Sequence, residues 1–204
     1  MLHRLIQSLF ILLLIVGCAF KTSKENGEII ELTTNKSGNK VESIISIFQG
    51  NIESISKIII QKETEAIEIY LNNNKWHISG EDELAVKTRS LDNLFEKVLK
   101  VRRSTIISDN PDKYAKYSID DSSGIHLAII DFNGETVGYY VFGRSKSDYS
   151  RSYVRIGDDP NVYLADQNVT YMLNTRETFW GERPKEEIPP PLPVDISADT
   201  TAIN

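Results

Sequence analysis

The chain has 204 residues, 40% of them hydrophobic, and a formal net charge of −6 at pH 7. Its length suits one domain with flanking segments, and its hydrophobic content can supply a core. The negative charge argues against nucleic acids and against broad adhesion to anionic lipid headgroups, because both are bound through Lys and Arg. The single cysteine, Cys18, excludes an internal disulfide and a zinc–thiolate cluster.

Residues 1–17 predict a secretory signal peptide. His3 and Arg4 give a short positive start, and an unbroken apolar run follows over residues 9–16. Even a helix over residues 5–16 would be under about 20 Å long, which is too short for a hydrocarbon core of about 30 Å. A basic start, a short apolar run and small residues at its end are typical of a removable signal.

The signal ends in a motif that predicts lipid attachment. Ile15-Val16-Gly17-Cys18 resembles the lipobox of bacterial lipoproteins, in which a small residue lets the peptidase reach the bond before the cysteine. The thiol accepts a diacylglyceryl group, and the freed α-amino group can be acylated as well. One acyl chain binds a membrane with an association constant of only about 10⁴ M⁻¹, so two or three chains are needed for stable anchoring. We expect lipid on Cys18; an uncleaved signal anchor with an incidental cysteine is the alternative.

The predicted location is the cell envelope. Ala19, rather than Asp, follows the cysteine, which resembles sorting to the periplasmic face of the outer membrane in two-membrane bacteria. Residues 18–40 are polar and predict a flexible tether, which as a random coil would span on the order of 25 Å. Residues 184–204 hold five of the seven prolines and predict a disordered tail, with a PxxP ligand at Pro190 to Pro193 as the alternative.

Residues 41–183 predict one α+β domain. After an apolar piece over residues 41–48, three runs rich in β-branched and aromatic residues predict an antiparallel meander at 56–61, 66–71 and 76–78. Residues 90–100 predict a long amphipathic helix packed on the sheet, with apolar side chains at positions i, i+3, i+4, i+7 and i+8. Basic residues at its end are favoured there by the helix dipole.

A second meander is predicted to follow the helix. Its strands fall at residues 104–108, 125–132, 136–142, 152–156 and 162–166, and a short helix over 169–173 closes the body. Asn133-Gly134 is a strong hairpin signal, because both residues accept positive φ. The fold class that these elements predict is antiparallel β-meanders with one long helix on the sheet.

No catalytic, cofactor or metal residue is predicted. His126 beside Ser122 or Ser123 suggests a hydrolase pair, but the chain lacks the G-x-S-x-G elbow. His77 belongs to no zinc-ligand pattern. Asp120-Asp121 fails the calcium-loop spacing, since isoleucines stand where the first and last carboxylates are required. Tyrosines crowd the second half of the body, and they suit either an interface or the core of a sheet.

Residues from about 58 to 184 resemble the DUF4340 family, a domain of unknown function. The order of short landmarks carries the resemblance: Trp76-His77-Ile78, the helix from Ser90, Tyr117-Ser118-Ile119-Asp120, Phe142-Gly143, Tyr153-Val154-Arg155, Val162-Tyr163 and Phe179-Trp180-Gly181-Glu182-Arg183. The family pattern usually reads Tyr-Gly-Leu where this chain has Tyr117-Ser118-Ile119. The resemblance implies an α+β envelope-facing domain, often encoded beside ABC-type transport machinery, and it carries no assigned activity.

Three functional interpretations remain open on the sequence. The first is a non-catalytic, lipid-anchored accessory or binding module of a membrane-associated complex, held to the membrane through Cys18 and contacting an envelope protein partner. The second is an envelope hydrolase whose serine or carboxylate site is assembled only by the fold. The third is capture of a small ligand for a transporter, which requires a concave pocket with a few polar groups.

Overall fold

A computed structural model describes residues 45–145 and 148–184. The predicted signal peptide, the lipidation site Cys18, the tether and all of the proline-rich tail except Pro184 lie outside the described residues. The strands are β1 Ile45–Ser46, β2 Ile55–Lys62, β3 Glu65–Asn72, β4 Lys75–Ile78, β5 Ala85–Val86, β6 Arg102–Ser108, β7 Ile125–Asp131, β8 Thr136–Arg144, β9 Ser152–Ile156, β10 Val162–Ala165 and β11 Gly181–Glu182.

The helical segments are short. Helix α1 covers Thr88–Asn93 and continues as a π-helical turn over Leu94–Val98, α2 covers Tyr114–Tyr117 and α3 covers Glu177–Trp180. In the described part of the chain, 3₁₀ turns lie at Ile52–Ser54, Pro111–Lys113 and Thr170–Met172. Within the described residues, no helix is long and apolar enough to cross a bilayer.

Among the described residues, nine strands form one antiparallel sheet in the order β1-β6-β10-β9-β8-β7-β2-β3-β4. The two predicted meanders are therefore halves of a single sheet, joined where β2 pairs with β7. Strands β5 and β11 form a separate two-stranded ribbon. The predicted α+β class is wrong, and so is the class that the family resemblance implied: over residues 45–145 and 148–184 the fold is mostly β and has no long helix.

The predicted long helix is interrupted at Leu94. The first half, Thr88–Asn93, contains Thr, Ser, Asp and Asn, which are poor helix formers. The amide of Leu99 then bonds to the carbonyl of Leu94 at 3.0 Å, an i→i+5 bond that inserts one extra residue into the turn. That wider turn leaves Leu94, Val98 and Leu99 all buried, and the chain leaves the helix directly for β6.

The turns follow the local chemistry of their residues. Asn73 and Asn74, between β3 and β4, both have positive φ, as a tight two-residue turn requires. Between β7 and β8 the hairpin is present as predicted, but the positive φ lies at Gly134 and not at Asn133. The Asp131 carboxylate accepts the amides of Asn133 and Glu135 and holds this wider turn.

Both faces of the sheet are covered. The larger cluster includes Ile58, Ile60, Leu127 and Ile129 from the centre of the sheet, the α1 segment and the fully buried Trp180. Each fully buried isoleucine or leucine contributes roughly 1.5–3 kcal/mol. The tyrosines are divided between the faces: Tyr140 and Tyr163 lie in this cluster, whereas the smaller cluster on the other face consists of Tyr117, Ile119, Val141 and Val162 with Tyr114, Tyr139 and Tyr153 packed against it.

Candidate functional site

His126 lies on the sheet face that carries the smaller cluster. In β7 it pairs across the sheet with Gln61 of β2 and with Val141 of β8, and Val141 pairs with Arg155 of β9. Strand alternation turns the neighbouring Leu127 to the opposite face, into the larger core. The row of Gln61, His126, Val141 and Arg155 thus brings three polar side chains together on one face.

The ring of His126 is buried against a tyrosine. Its Nδ1 lies 2.7 Å from the Tyr139 hydroxyl, and its buried Nε2 has no hydrogen-bond partner among the described residues. Burial lowers the pKa of His126, and the negative charge of the Asp121 carboxylate opposes that shift. Burial likewise raises the pKa of the Tyr139 hydroxyl. A neutral histidine bonded to a neutral tyrosine is the arrangement that these surroundings favour.

The serines suggested as partners of His126 bond elsewhere. The hydroxyls of Ser122 and Ser123 donate to the Asp120 carboxylate, which also accepts both of their backbone amides at 3.1 Å. These bonds hold the pKa of Asp120 well below its usual range. Asp120 therefore closes a turn before β7, and the structure does not form the histidine–serine pair that the sequence suggests but does not support.

The guanidinium of Arg155 contacts the same loop through Asp121. Its Nη2 lies 3.4 Å from the carboxylate of Asp121, whose side chain is 93% exposed, and the guanidinium lies 4.9 Å from the ring centre of Tyr114. The Tyr114 hydroxyl donates to the carbonyl of Pro160 at 3.0 Å. These contacts pack the segment before β7 onto β9 and present no nucleophile.

Asp159 also stabilises a turn. Asp159 accepts the Asn161 amide at 2.9 Å and the Tyr163 hydroxyl at 2.6 Å. Over residues 45–145 and 148–184, no three His, Cys, Asp or Glu side chains gather as a metal site would require. His77, the other histidine of the body, stacks on Tyr70 with 5.5 Å between ring centres.

An open cleft of about 470 Å³ lies beside the Asp120 turn. Five separate parts of the chain build it: the β2–β3 turn, the segment around α2, the start of β7, the end of β8 and the last 3₁₀ turn. The lining residues are Lys62, Glu63, Ser118, Ser123, Ile125, Phe142, Arg144, Asn168, Thr170 and Tyr171. No sequence motif predicts this cleft, because its parts are spread along the chain from Lys62 to Tyr171 and only the fold brings them together.

The outer edge of β6 is the other notable surface. Strand β1 pairs with β6 only at Arg102 and Arg103, and β10 lies on the opposite side. Beyond Arg103 this edge has no partner strand within the described part of the chain. Ile106 is 51% exposed and Ile107 is 36% exposed there. Unpaired backbone groups beside exposed β-branched side chains form a template for an added strand.

Comparison with known proteins identifies a domain without an assigned function. A family model described as "Domain of unknown function (DUF4340)" matches residues 76–186. An uncharacterized protein of Treponema pallidum (strain Nichols) is 26% identical over 94 residues, which is 46% of this chain and 30% of that protein. The chain therefore spans less than a third of that relative. No solved structure matches the chain.

Proposed function

We propose that this chain, which belongs to the DUF4340 family, is a non-catalytic accessory module of the cell envelope, anchored by lipid on Cys18, that binds a protein partner through the outer edge of β6. The single observation that carries the proposal is that this edge has no partner strand beyond Arg103 among the described residues, with Ile106 and Ile107 exposed beside it. An ABC-type transport complex is the setting that the family resemblance suggests for the partner.

The proposed partner contributes an extended strand that pairs with β6. An added strand satisfies the free amides and carbonyls of β6 through main-chain hydrogen bonds, and side-chain contacts give the specificity. Ile106 and Ile107 point to opposite faces because strand side chains alternate, so both faces of the added strand would contact an isoleucine. Thr105, also exposed, extends the same edge.

Site-specific photo-cross-linking in intact cells tests the edge. A photoreactive phenylalanine at Ile107 should capture one reproducible envelope protein. The same group at Phe132, which is 63% exposed in the β7–β8 turn, is the matched control and should not capture it. Ile106→Lys should abolish the capture from position 107, because a charge on an edge strand discourages strand addition.

Three outcomes would overturn the proposed edge. One is recovery of monomer only, and another is capture of the same protein with equal efficiency from position 132. The third is a cross-link that maps to this chain's own residues before Ile45, because the edge would then be occupied from within the molecule.

The lipid anchor has its own test. The wild-type chain should incorporate radiolabelled palmitate and enter the detergent phase on Triton X-114 partitioning, whereas Cys18→Ser should incorporate no palmitate. A wild-type chain that stays in the membrane without incorporating palmitate would point to an uncleaved signal anchor.

A further inference from the structure

We propose that the cleft beside the Asp120 turn is a binding site for a small organic anion, one that carries a carboxylate or a phosphate, with Lys62 and Arg144 as the groups that recognise the charge. The cleft lies away from the β6 edge, so this proposal does not depend on the proposed function. Its volume of about 470 Å³ falls within the roughly 300–1,000 Å³ of small-molecule sites.

The charge of the cleft differs in sign from that of the chain. Lys62 and Arg144 contribute two positive charges, and Glu63 contributes one negative charge, whereas the whole chain carries −6. Among the described residues, neither cation forms a salt bridge. The Arg144 guanidinium lies 5.5 Å from the ring centre of Tyr149, which leaves its donors available. A guanidinium presents two parallel N–H groups that match a carboxylate or phosphate.

The wall of the cleft is held in an uncommon backbone conformation. Glu63 has a φ of 55° and Ser118 a φ of 54°, both in the left-handed region. The other non-glycine residues with positive φ among the described residues are Asn73 and Asn74, which tolerate it in their tight turn. Backbone strain in residues that are not Gly or Asn concentrates at functional sites, and here both examples line one cleft.

The remaining lining groups favour a ligand with an uncharged part. Ile125 is half-buried and gives an apolar floor, and the ring of Tyr171, 66% exposed, stands at the rim where a planar group can stack. The Ser118 hydroxyl has no hydrogen bond within the described ranges and can donate to the ligand. Small-molecule sites combine an apolar surface with a few such polar groups.

Isothermal titration calorimetry on the full chain, in the form that cells produce, tests the site. The probes are N-acetylphenylalanine, its uncharged amide, phenyl phosphate and inorganic phosphate. We expect saturable binding of at least one organic anion, and the amide should bind at least tenfold more weakly. Comparison of the carboxylate with phenyl phosphate and free phosphate identifies which anion the site prefers.

Charge variants decide whether these residues recognise the ligand. Arg144→Gln and Lys62→Gln should each weaken binding about tenfold, whereas Glu63→Gln should strengthen it severalfold, because it removes a repelling carboxylate. Lys75→Gln, at the first residue of β4, is the matched control and should have no effect. Absence of saturable binding to every probe, equal binding of acid and amide, or unchanged affinity in Arg144→Gln would each overturn the proposal. The exposed position of Arg144 at the end of β8 keeps this variant folded, which its thermal melting checks.

Discussion

The backbone carbonyl of Tyr117 lies directly over Gly143: a Cβ built on that glycine would stand 2.1 Å from the Tyr117 oxygen and 2.7 Å from the oxygen of Ser118. These residues belong to two of the short landmarks that the sequence shares with its family. The contact brings the end of α2 against β8, and it fixes the wall of the cleft. Two of the sequence landmarks therefore lie where two backbone segments approach closely, which gives them a role in the packing of the domain.

Gly143→Ala should destabilise the domain strongly. No flexible side chain can give way to the new methyl group, because backbone atoms stand in its place, so β8 or the α2 segment must shift. We expect a loss of at least about 2–3 kcal/mol in the free energy of unfolding, measured by urea denaturation. Gly134→Ala is the comparison, since its φ is +80° and no atom lies within 4 Å; backbone strain alone should cost about 1–2 kcal/mol there. Equal losses in the two variants would contradict the steric explanation.

Ser118→Gly should stabilise the domain. Ser118 ends α2 with a φ of 54° and a ψ of 43°, a left-handed conformation that costs an L-residue about 1–2 kcal/mol and glycine very little. The extra backbone entropy of glycine in the unfolded chain offsets part of this gain. A net increase of about 0.5–1 kcal/mol is expected in the same denaturation experiment. Ser118→Ala keeps the strain and should show no increase; a similar gain in both variants would refute the conformational cause.

The stability of the domain should fall as the solution is acidified through the range where histidine titrates. Burial holds the pKa of His126 below 6.5, its ordinary value. The unfolded chain therefore takes up a proton below about pH 6.5 while the native chain resists it, so stability is complete above that pH and declines below it, down to the lowered native pKa. Urea denaturation between about pH 5 and pH 8 should show this slope in the wild type and a shallower one in His126→Gln. Equal slopes would show that His126 is not responsible.

Asp120→Ala should lower the free energy of unfolding by about 1–2 kcal/mol at neutral pH, because the Asp120 carboxylate accepts hydrogen bonds from two backbone amides and two hydroxyls. Asp121→Ala is the neighbouring control: its exposed side chain lies 3.4 Å from Arg155, and removing it should change the free energy of unfolding by less than about 0.5 kcal/mol. The pKa of Asp120 is lowered by folding, so its contribution is present above its ordinary pKa of 3.8 and is lost as the pH falls below it. In urea denaturation, the free energies of unfolding of the wild type and of Asp120→Ala should therefore approach each other as the pH falls below 3.8. An undiminished difference at low pH would contradict the charge-dependent part of the explanation.

Local signals in the sequence located most of the strands but not the fold class. Strand alternation and paired turn residues such as Asn73-Asn74 act over a few positions, and these elements agree with the structure. The apolar spacing from Leu91 to Leu99 is compatible with a regular helix, and nothing in it signals the i→i+5 bond after Leu94. The union of two meanders into one sheet depends on the pairing of β2 with β7, which no local pattern encodes.

The sequence indicates the candidate sites less well. His126 stands out in the sequence, but its partner is Tyr139 on the neighbouring strand, and strand register alone brings the two together. Single cations such as Lys62 and Arg144 carry no signal in the sequence, because only the fold places them around one cleft. The edge of β6 has no sequence signal either, since an edge is defined by which strands do not pair.

The order of the strands also governs when this domain can fold. Strand β2, near the start of the body, lies inside the sheet between β3 and β7, and its Ser56 hydroxyl donates to the carbonyl of Ile130, 74 residues later. Until β7 is available, one edge of β2 has no partner strand, and the three isoleucines at residues 58–60 have no core to pack against. Such long-range pairing delays folding. A chain that emerges N-terminus first, whether from a ribosome or through a membrane, must therefore remain unfolded until β7 has emerged. During that time the apolar side chains of β2 are exposed, and a binding partner such as a chaperone is needed to protect them from aggregation.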